Sequence, residues 1–168
     1  MKITGRNLGR RVLLLGNRLS RMKYHKGHGV HSPFVYSLVR KVFMPKNLVE
    51  DSGTLLYDNL VAEGVKEKRA RQLHNLLVHI EGQSYSINKV EGDLSILLEN
   101  YPTVQLCDAY AQAKERGATL AVCQPYLTRE RQNCIKELIA MHQCTAVDNR
   151  GYILFFFNNK LPKQHYRL

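Results

Sequence analysis

TLAVCQPYLTRERQNCIKELIAM, residues 119–141, is the stretch that decides the fold class of this chain. Its first five residues are types that favour a buried strand, and residues 128–141 have the pattern of a helix. Strands that alternate with helices in this way are typical of α/β proteins with a parallel sheet. The stretch therefore predicts one strand and one helix of such a sheet.

The same alternation continues on both sides. Upstream, the sequence predicts two helices and then a strand, a helix, a strand and a helix, over residues 55–61, 66–80, 85–87, 94–99, 104–107 and 108–116. Downstream, residues 144–147 and 152–157 predict two strands, and the run Asp148-Asn149-Arg150-Gly151 between them favours a β-hairpin. We therefore expect an α/β fold with a mostly parallel sheet, helices on both faces and an antiparallel hairpin at the end.

Positive charge is concentrated at the start of the chain. The net charge is +11, and residues 1–49 hold eleven of the 25 basic residues and none of the 14 acids. Such a field attracts phosphates, anionic lipid headgroups or acidic protein surfaces and weakens as salt rises, although a solvated face that aids solubility has the same composition. We predict a basic helical arm over residues 1–49 and one domain over residues 50–168.

The arm contains an amphipathic helix. Its apolar stripe is formed by Leu8, Val12, Leu15, Leu19 and Met22. Arg10, Arg18 and Arg21 fall on the opposite side. Three interpretations remain open: the stripe packs on the domain core, the helix lies on an anionic membrane, or the arginines contact nucleic acid.

A glycine-punctuated loop follows and ends in a second helix start. Ser32 is an N-cap residue and Pro33 suits the first helical position, which predicts a helix over residues 34–43. His28 and His31 precede it, and we expect them to shape the loop and help hold an anion near the helix N-terminus. A metal site is not expected there, because no carboxylate or cysteine is close in sequence.

Composition bounds the setting of the protein. With 44% hydrophobic and 23% charged residues and a mean hydropathy of −0.33, the chain has the composition of a soluble globular protein. The sequence contains no apolar run of membrane-spanning length, and without an apolar stretch of roughly 7 to 15 residues we do not expect export through a secretory signal. Four widely spaced cysteines without a C-x-x-C pair predict a reducing, cytoplasmic setting.

The run His28-Gly-Val-His-Ser-Pro-Phe-Val-Tyr36 resembles the signature of a group of bacterial class I methyltransferase-like proteins that use S-adenosylmethionine. The helix over residues 69–79, the closing hairpin and the tail Lys163-Gln-His-Tyr166 are similar to those proteins as well. The resemblance covers both ends of the chain and implies a Rossmann-like fold.

The middle of the chain departs from the family pattern. In the family, the first strand ends in an acid and a glycine-rich turn beside the cofactor, and the second ends in an acid for the ribose hydroxyls. On this chain those positions fall at Ser86 and Asn88, whereas Gly92 keeps the second glycine and Asp108 corresponds to the ribose-binding acid. The resemblance therefore implies Gly92 and Asp108 as residual cofactor residues.

The resemblance also implies a shortened sheet. Two strands of the family pattern have no counterpart, and Gln124-Pro125-Tyr126 replaces a family-like pair of acids at the rim of the reaction pocket. We therefore expect a truncated Rossmann-like sheet of about five strands in the order second, first, third, fifth, fourth. No catalytic residues, no metal and no bound cofactor are expected.

These observations predict a catalytically degenerate methyltransferase-like module. Its basic arm would contact an anionic partner such as RNA. The residues expected to bind this partner are Arg10, Arg11, Arg18, Arg21, Lys23, Lys26, His28 and His31. One alternative is an active S-adenosylmethionine-dependent methyltransferase with a reduced pocket or one shared within a homo-oligomer, and another is a protein attached to an anionic membrane surface.

Overall fold

The computed structural model describes residues 32–49, 55–157 and 162–168. The partner-binding residues predicted in the arm, which are Arg10, Arg11, Arg18, Arg21, Lys23, Lys26, His28 and His31, lie outside the described residues. Within the described part, no helix combines the length and apolar character needed to cross a membrane.

Five α-helices and six strands make up the described chain. The helices are α1 (Pro33–Leu38), α2 (Leu55–Ala62), α3 (Glu67–His79), α4 (Leu106–Arg116) and α5 (Arg129–Met141). A π-helical turn, Val39–Phe43, continues α1, and a 3₁₀ turn, Thr103–Gln105, precedes α4. The strands are β1 (Tyr85–Ile87), β2 (Leu94–Leu97), β3 (Thr119–Cys123), β4 (Thr145–Asp148), β5 (Tyr152–Phe156) and β6 (Gln164–Arg167).

The strands form one mixed sheet in the order β1-β2-β3-β5-β4-β6. β1, β2 and β3 run parallel, β5 is antiparallel to β3 and to β4, and β6 pairs in parallel with β4. The predicted hairpin is confirmed, since Asp148 pairs with Ile153 and Asn149 N–H donates to Tyr152 O at 2.9 Å. The protein is therefore an α/β protein with a mixed sheet.

Helices cover both faces of the sheet, as predicted. Alternate strand residues such as Ile96 and Ala121 pack under α1, α2 and α3 on one face. Their neighbours Leu97 and Leu120 pack under α4 and α5 on the other. A sheet buried on both sides needs apolar residues at every strand position, which explains the uninterrupted burial of β3.

The start of α1 follows the predicted chemistry. Ser32 Oγ accepts a hydrogen bond from Val35 N–H at 3.4 Å, and Pro33 is the first helical residue. Val35, Leu38 and Val42 are fully buried on one side of this helix and its π-helical continuation. The predicted helix over residues 34–43 is confirmed.

Two predictions in the middle of the chain are wrong. Residues 94–99 were expected to be helical, but Leu94–Leu97 is the buried strand β2. Residues 104–107 were expected to be a strand, but they belong to the 3₁₀ turn and the first turn of α4. Short apolar runs fit a buried strand and a buried helix equally well, so pairing with neighbouring strands decides between them.

The predicted strand order is corrected accordingly. The adjacency of β3, β5 and β4 is confirmed, but β2 lies between β1 and β3, where the prediction placed no strand. The sheet of the described residues has six strands instead of about five, because Gln164–Arg167 adds to the edge beside β4.

Candidate functional site

A cleft of about 490 Å³ opens between the end of the π-helical turn, α3 and the β4–β5 turn. Four basic side chains line it: Lys46, Lys68, Arg71 and Arg150. No aspartate or glutamate is among the described residues of its wall. We call it the cationic cleft. Like charges gathered around one concavity reinforce each other's potential, so the cleft attracts anions.

A polar network holds the three elements of the cationic cleft together. Gln72, buried on α3, donates from Nε2 to Phe43 O at 2.9 Å and accepts at Oε1 from Asn149 Nδ2 at 3.3 Å and from Tyr152 Oη–H at 3.2 Å. Asn149 Nδ2 also donates to Tyr152 Oη at 2.9 Å. Because these residues are inside or half-buried, the walls of the cleft are fixed by contacts made within the protein.

The β4–β5 turn presents Arg150 to this cleft. Arg150 has a φ of +53°, a left-handed conformation that places its side chain at the tip of the turn. Its N–H donates to Asp148 Oδ1 at 3.1 Å, and Tyr126 Oη donates to the other oxygen of the same buried carboxylate. The guanidinium of Arg69 lies against Gly151, where a Cβ would clash with it. The turn is therefore held from both sides.

Arg71 is the most enclosed cation of the cationic cleft. The residue is half-buried, and its Nε is buried without a hydrogen-bond partner among the described residues. A buried N–H without an acceptor is unfavourable, but an atom with almost no accessible surface is not reached from the cleft as it stands. The exposed cations Lys46, Lys68 and Arg150 are therefore the ones that an anion meets first.

A second concavity lies at the carboxyl ends of β2 and β3 beside the start of α3. It encloses about 260 Å³, and its charged and amide side chains are those of Glu63, Lys66, Arg69, Glu99, Asn100 and Gln124. We call it the strand-end crevice. Ligands of open α/β sheets bind at this edge, but here the two acids offset the two cations and the net potential is small.

Arg131 holds the strand ends that form the floor of this crevice. Its side chain is 1% exposed and donates from Nη1 to Tyr101 O at 2.9 Å and from Nη2 to Leu98 O and Cys123 O at 3.1 Å each. Burial lowers the pKa of this guanidinium. Burial also raises the pKa of the adjacent Cys123 thiol to about 12, so this thiol stays protonated and unreactive at neutral pH.

The two predicted cofactor residues are not brought together. Gly92 lies two residues before β2 and against the backbone of Tyr85, the first residue of β1. Asp108 is exposed in the first turn of α4, beyond the carboxyl end of β2. Asp108 therefore follows a 3₁₀ turn, so the prediction that it directly follows a strand is wrong.

The acid that does follow the second strand is Glu99. It lies two residues beyond β2, is exposed and lines the strand-end crevice. The sequence prediction missed it because residues 94–99 were assigned to a helix. Two signals in the sequence indicated a strand. The turn-forming pair Gly92-Asp93 precedes the apolar run that begins at residue 94, and Asn100 and Pro102 follow it.

His142 is a structural residue on the face of the sheet that α4 and α5 cover. It is 1% exposed, Nε2–H donates to Thr145 O at 3.1 Å and Nδ1 accepts from Tyr110 Oη–H at 2.9 Å. Burial lowers its pKa, which keeps the ring neutral. Among residues 32–49, 55–157 and 162–168, no three histidine, cysteine or acidic side chains lie close enough together to hold a metal ion.

Comparison with known proteins gives no relative. The chain matches no protein-family model, and neither a curated protein nor a solved structure is significantly similar to it. The resemblance to class I methyltransferase-like proteins stays a prediction.

Proposed function

We propose that this protein is a non-catalytic binding module for an anionic macromolecule, structured RNA, which the basic arm and the cationic cleft contact together. The observation that carries the proposal is the set of four cations, Lys46, Lys68, Arg71 and Arg150, around a cleft with no aspartate or glutamate side chain in its described wall. RNA backbones present phosphates in series, and such cations neutralise them without reading sequence.

The sequence position of Lys46 supports the proposal that the cationic cleft and the basic arm bind the same RNA. Lys46 lies three residues after the π-helical turn that continues α1, and it belongs to the acid-free segment, residues 1–49, that holds eleven basic residues. The proposal therefore assigns the other cations of residues 1–49 to the same RNA. We also propose the cytoplasmic setting that the wide spacing of the four cysteines and the absence of a C-x-x-C pair predict.

The proposal predicts salt-dependent RNA binding that depends on the cleft. We expect a hairpin RNA to bind the full chain at low salt, with log affinity falling linearly as log salt concentration rises. Changing Lys46, Lys68, Arg71 and Arg150 to glutamine should lower the affinity about tenfold or more and reduce the salt slope by as much as about four. Fluorescence anisotropy across a salt series measures both quantities.

The matched control removes the same charge elsewhere. Lys89, Lys114, Arg129 and Lys136 are exposed and lie outside the cleft, so their change to glutamine leaves the net charge equal to that of the cleft variant. This control should keep its affinity within about threefold. Absence of RNA binding at low salt, or equal losses in both variants, would show that the cleft is not the binding site.

We further propose that the domain is a shortened Rossmann-like methyltransferase fold whose cofactor site has degenerated. At Asn88, where the resemblance implies a glycine, the side chain accepts from Leu98 N–H at 2.8 Å and donates to Asn100 Oδ1 at 3.0 Å. It thereby ties the ends of β1 and β2 together. The strand-end crevice, at about 260 Å³, is also below the roughly 300–1,000 Å³ of ligand pockets.

The degenerate site predicts that S-adenosylmethionine does not bind. Isothermal titration calorimetry of the full chain with this cofactor should give no heat beyond dilution. The retained-enzyme alternative requires the opposite, a micromolar binding signal that Glu99→Ala or Asp108→Ala abolishes and that the exposed-site control Glu137→Ala leaves intact. Such a signal would overturn the proposed loss of the cofactor site and leave the RNA-binding test unaffected.

A further inference from the structure

Two of the four cysteines lie within contact distance of each other. Cys107 in the first turn of α4 and Cys134 in α5 have their Sγ atoms 3.9 Å apart, although 27 positions separate them in the chain. Cys107 is exposed and Cys134 is half-buried. Neither the resemblance nor the proposed function gives this pair a role.

The sulfur atoms are close enough for a disulfide to form after a small movement. An S–S bond is about 2.05 Å long, so the two sulfur atoms need to approach by roughly 2 Å. The remaining cysteines are not arranged in this way. Cys123 is 5% exposed and packs on the face of the sheet that α1, α2 and α3 cover, and Cys144 lies before β4.

We propose that Cys107 and Cys134 form a reversible dithiol–disulfide site that low-molecular-weight disulfides such as glutathione disulfide oxidise. The Cys107 thiolate attacks one sulfur of glutathione disulfide, and the S–S bond of that reagent breaks to release one glutathione thiolate. Cys134 then loses its proton and attacks Cys107 Sγ in the mixed disulfide, which releases the second glutathione thiolate. The two protein thiols lose two electrons and two protons, and one glutathione disulfide becomes two glutathione thiols.

The environments of the two thiols set this order of attack. The exposed sulfur of Cys107 is reachable by a reagent in solution, whereas Cys134 is partly covered. Burial and the hydrogen bond with Cys107 raise the pKa of the Cys134 thiol to about 11, so this thiol is protonated at neutral pH and reacts only once a disulfide is held beside it. Cys107 is therefore the attacking and Cys134 the resolving residue.

The disulfide would link α4 covalently to α5 on the face of the sheet that these two helices cover. Cys134 lies one helical turn after Arg131, which bonds Tyr101 O and Leu98 O in the segment between β2 and α4. Oxidation therefore links both ends of that segment to α5. Closing a loop of this length restrains the unfolded chain, and the expected rise in Tm is about 10 °C.

The experiment treats the reduced full chain with glutathione disulfide, alkylates the remaining thiols and maps the peptides by mass spectrometry. We expect a peptide pair joined through Cys107 and Cys134, with a Tm rise that dithiothreitol reverses. Cys107→Ser and Cys134→Ser should each abolish the cross-link and the rise, and Cys144→Ser should keep both. Glutathione retained on Cys107 with Cys134 alkylated, or a cross-link to a different cysteine, would overturn the proposal.

Discussion

Replacing Arg131 with methionine is expected to lower the free energy of unfolding by about 3–5 kcal/mol. The side chain is 1% exposed and supplies donors to three carbonyl oxygens, those of Leu98, Tyr101 and Cys123. Methionine fills a similar volume but donates nothing, so Tyr101 O and Cys123 O lose this donor and Leu98 O keeps only the Tyr101 N–H at 3.2 Å. Urea denaturation followed by circular dichroism measures the change as a shift of the midpoint.

Two opposing effects decide this outcome. Burying a guanidinium without a carboxylate partner is unfavourable, and apolar replacement of a buried charge is sometimes neutral or stabilising. Here, however, the acceptors are main-chain oxygens that remain in place after the substitution, and each buried acceptor without a donor costs about 1–3 kcal/mol. The loss of three donors therefore outweighs the relief of desolvation.

The control for this substitution is two residues away in the same helix. Arg129 is exposed, and Arg129→Met should change the free energy of unfolding by no more than about 0.5 kcal/mol. Arg131→Lys, which keeps the charge but cannot reach three carbonyls at once, should fall between the two. Near-wild-type stability of Arg131→Met would mean that water replaces the lost donors.

Local sequence signals were sufficient to predict an element when the contacts that form it are made between residues close together in the sequence. The Ser32-Pro33 start of α1 depends on side-chain and backbone chemistry within four residues, and the structure confirms it. The β4–β5 hairpin likewise follows from the turn residues 148–151 between two apolar runs. Chemistry of this kind does not depend on the rest of the fold.

The middle of the chain required information that a short window does not hold. Leu106, Ala109, Tyr110 and Ala113 recur at helical spacing and form the buried side of α4, but the apolar run that begins at Val104 was interpreted as a strand. Val104 is 77% exposed, because it lies in the 3₁₀ turn before the helix. The longer periodicity was the stronger signal.

The cationic cleft was beyond sequence prediction for a different reason. Its cations come from residues as far apart as Lys46 and Arg150, and three of the four lie in the part of the chain whose formal charge is zero. Charge counted along the sequence identifies only the cations of residues 1–49. Their concentration on one surface arises from the packing of α3 against the π-helical turn and the β4–β5 turn.

Gly92→Ala is expected to lower the free energy of unfolding by about 3 kcal/mol, the upper end of the range for overpacking. A Cβ at this position would lie 2.6–2.9 Å from Tyr85 Cα, C and N, which are backbone atoms that no side-chain rotation can move away. The matched control is Gly117→Ala, which has nothing within 4 Å and only a left-handed φ of +66°. That control should cost about 1 kcal/mol.

The reason for the close approach is the connection between β1 and β2. Parallel neighbours are normally joined by a dozen residues or more, but residues 88–93 alone return the chain from the end of β1 to the start of β2. The returning backbone must therefore pass directly over Tyr85, and only glycine fits there. Alanine should displace β1, so hydrogen exchange should speed up at the amides of Leu94 and Asn88, which bond Ser84 O and Ile96 O.

This measurement also distinguishes the two roles for Gly92. A glycine kept for cofactor binding would tolerate alanine in the cofactor-free protein, because nothing would occupy the space it leaves open. A glycine kept for the short parallel connection loses stability whether or not a cofactor is present. Faster exchange at Leu94 and Asn88 without a cofactor would assign Gly92 to the fold, and unchanged exchange and stability would restore it as a cofactor residue.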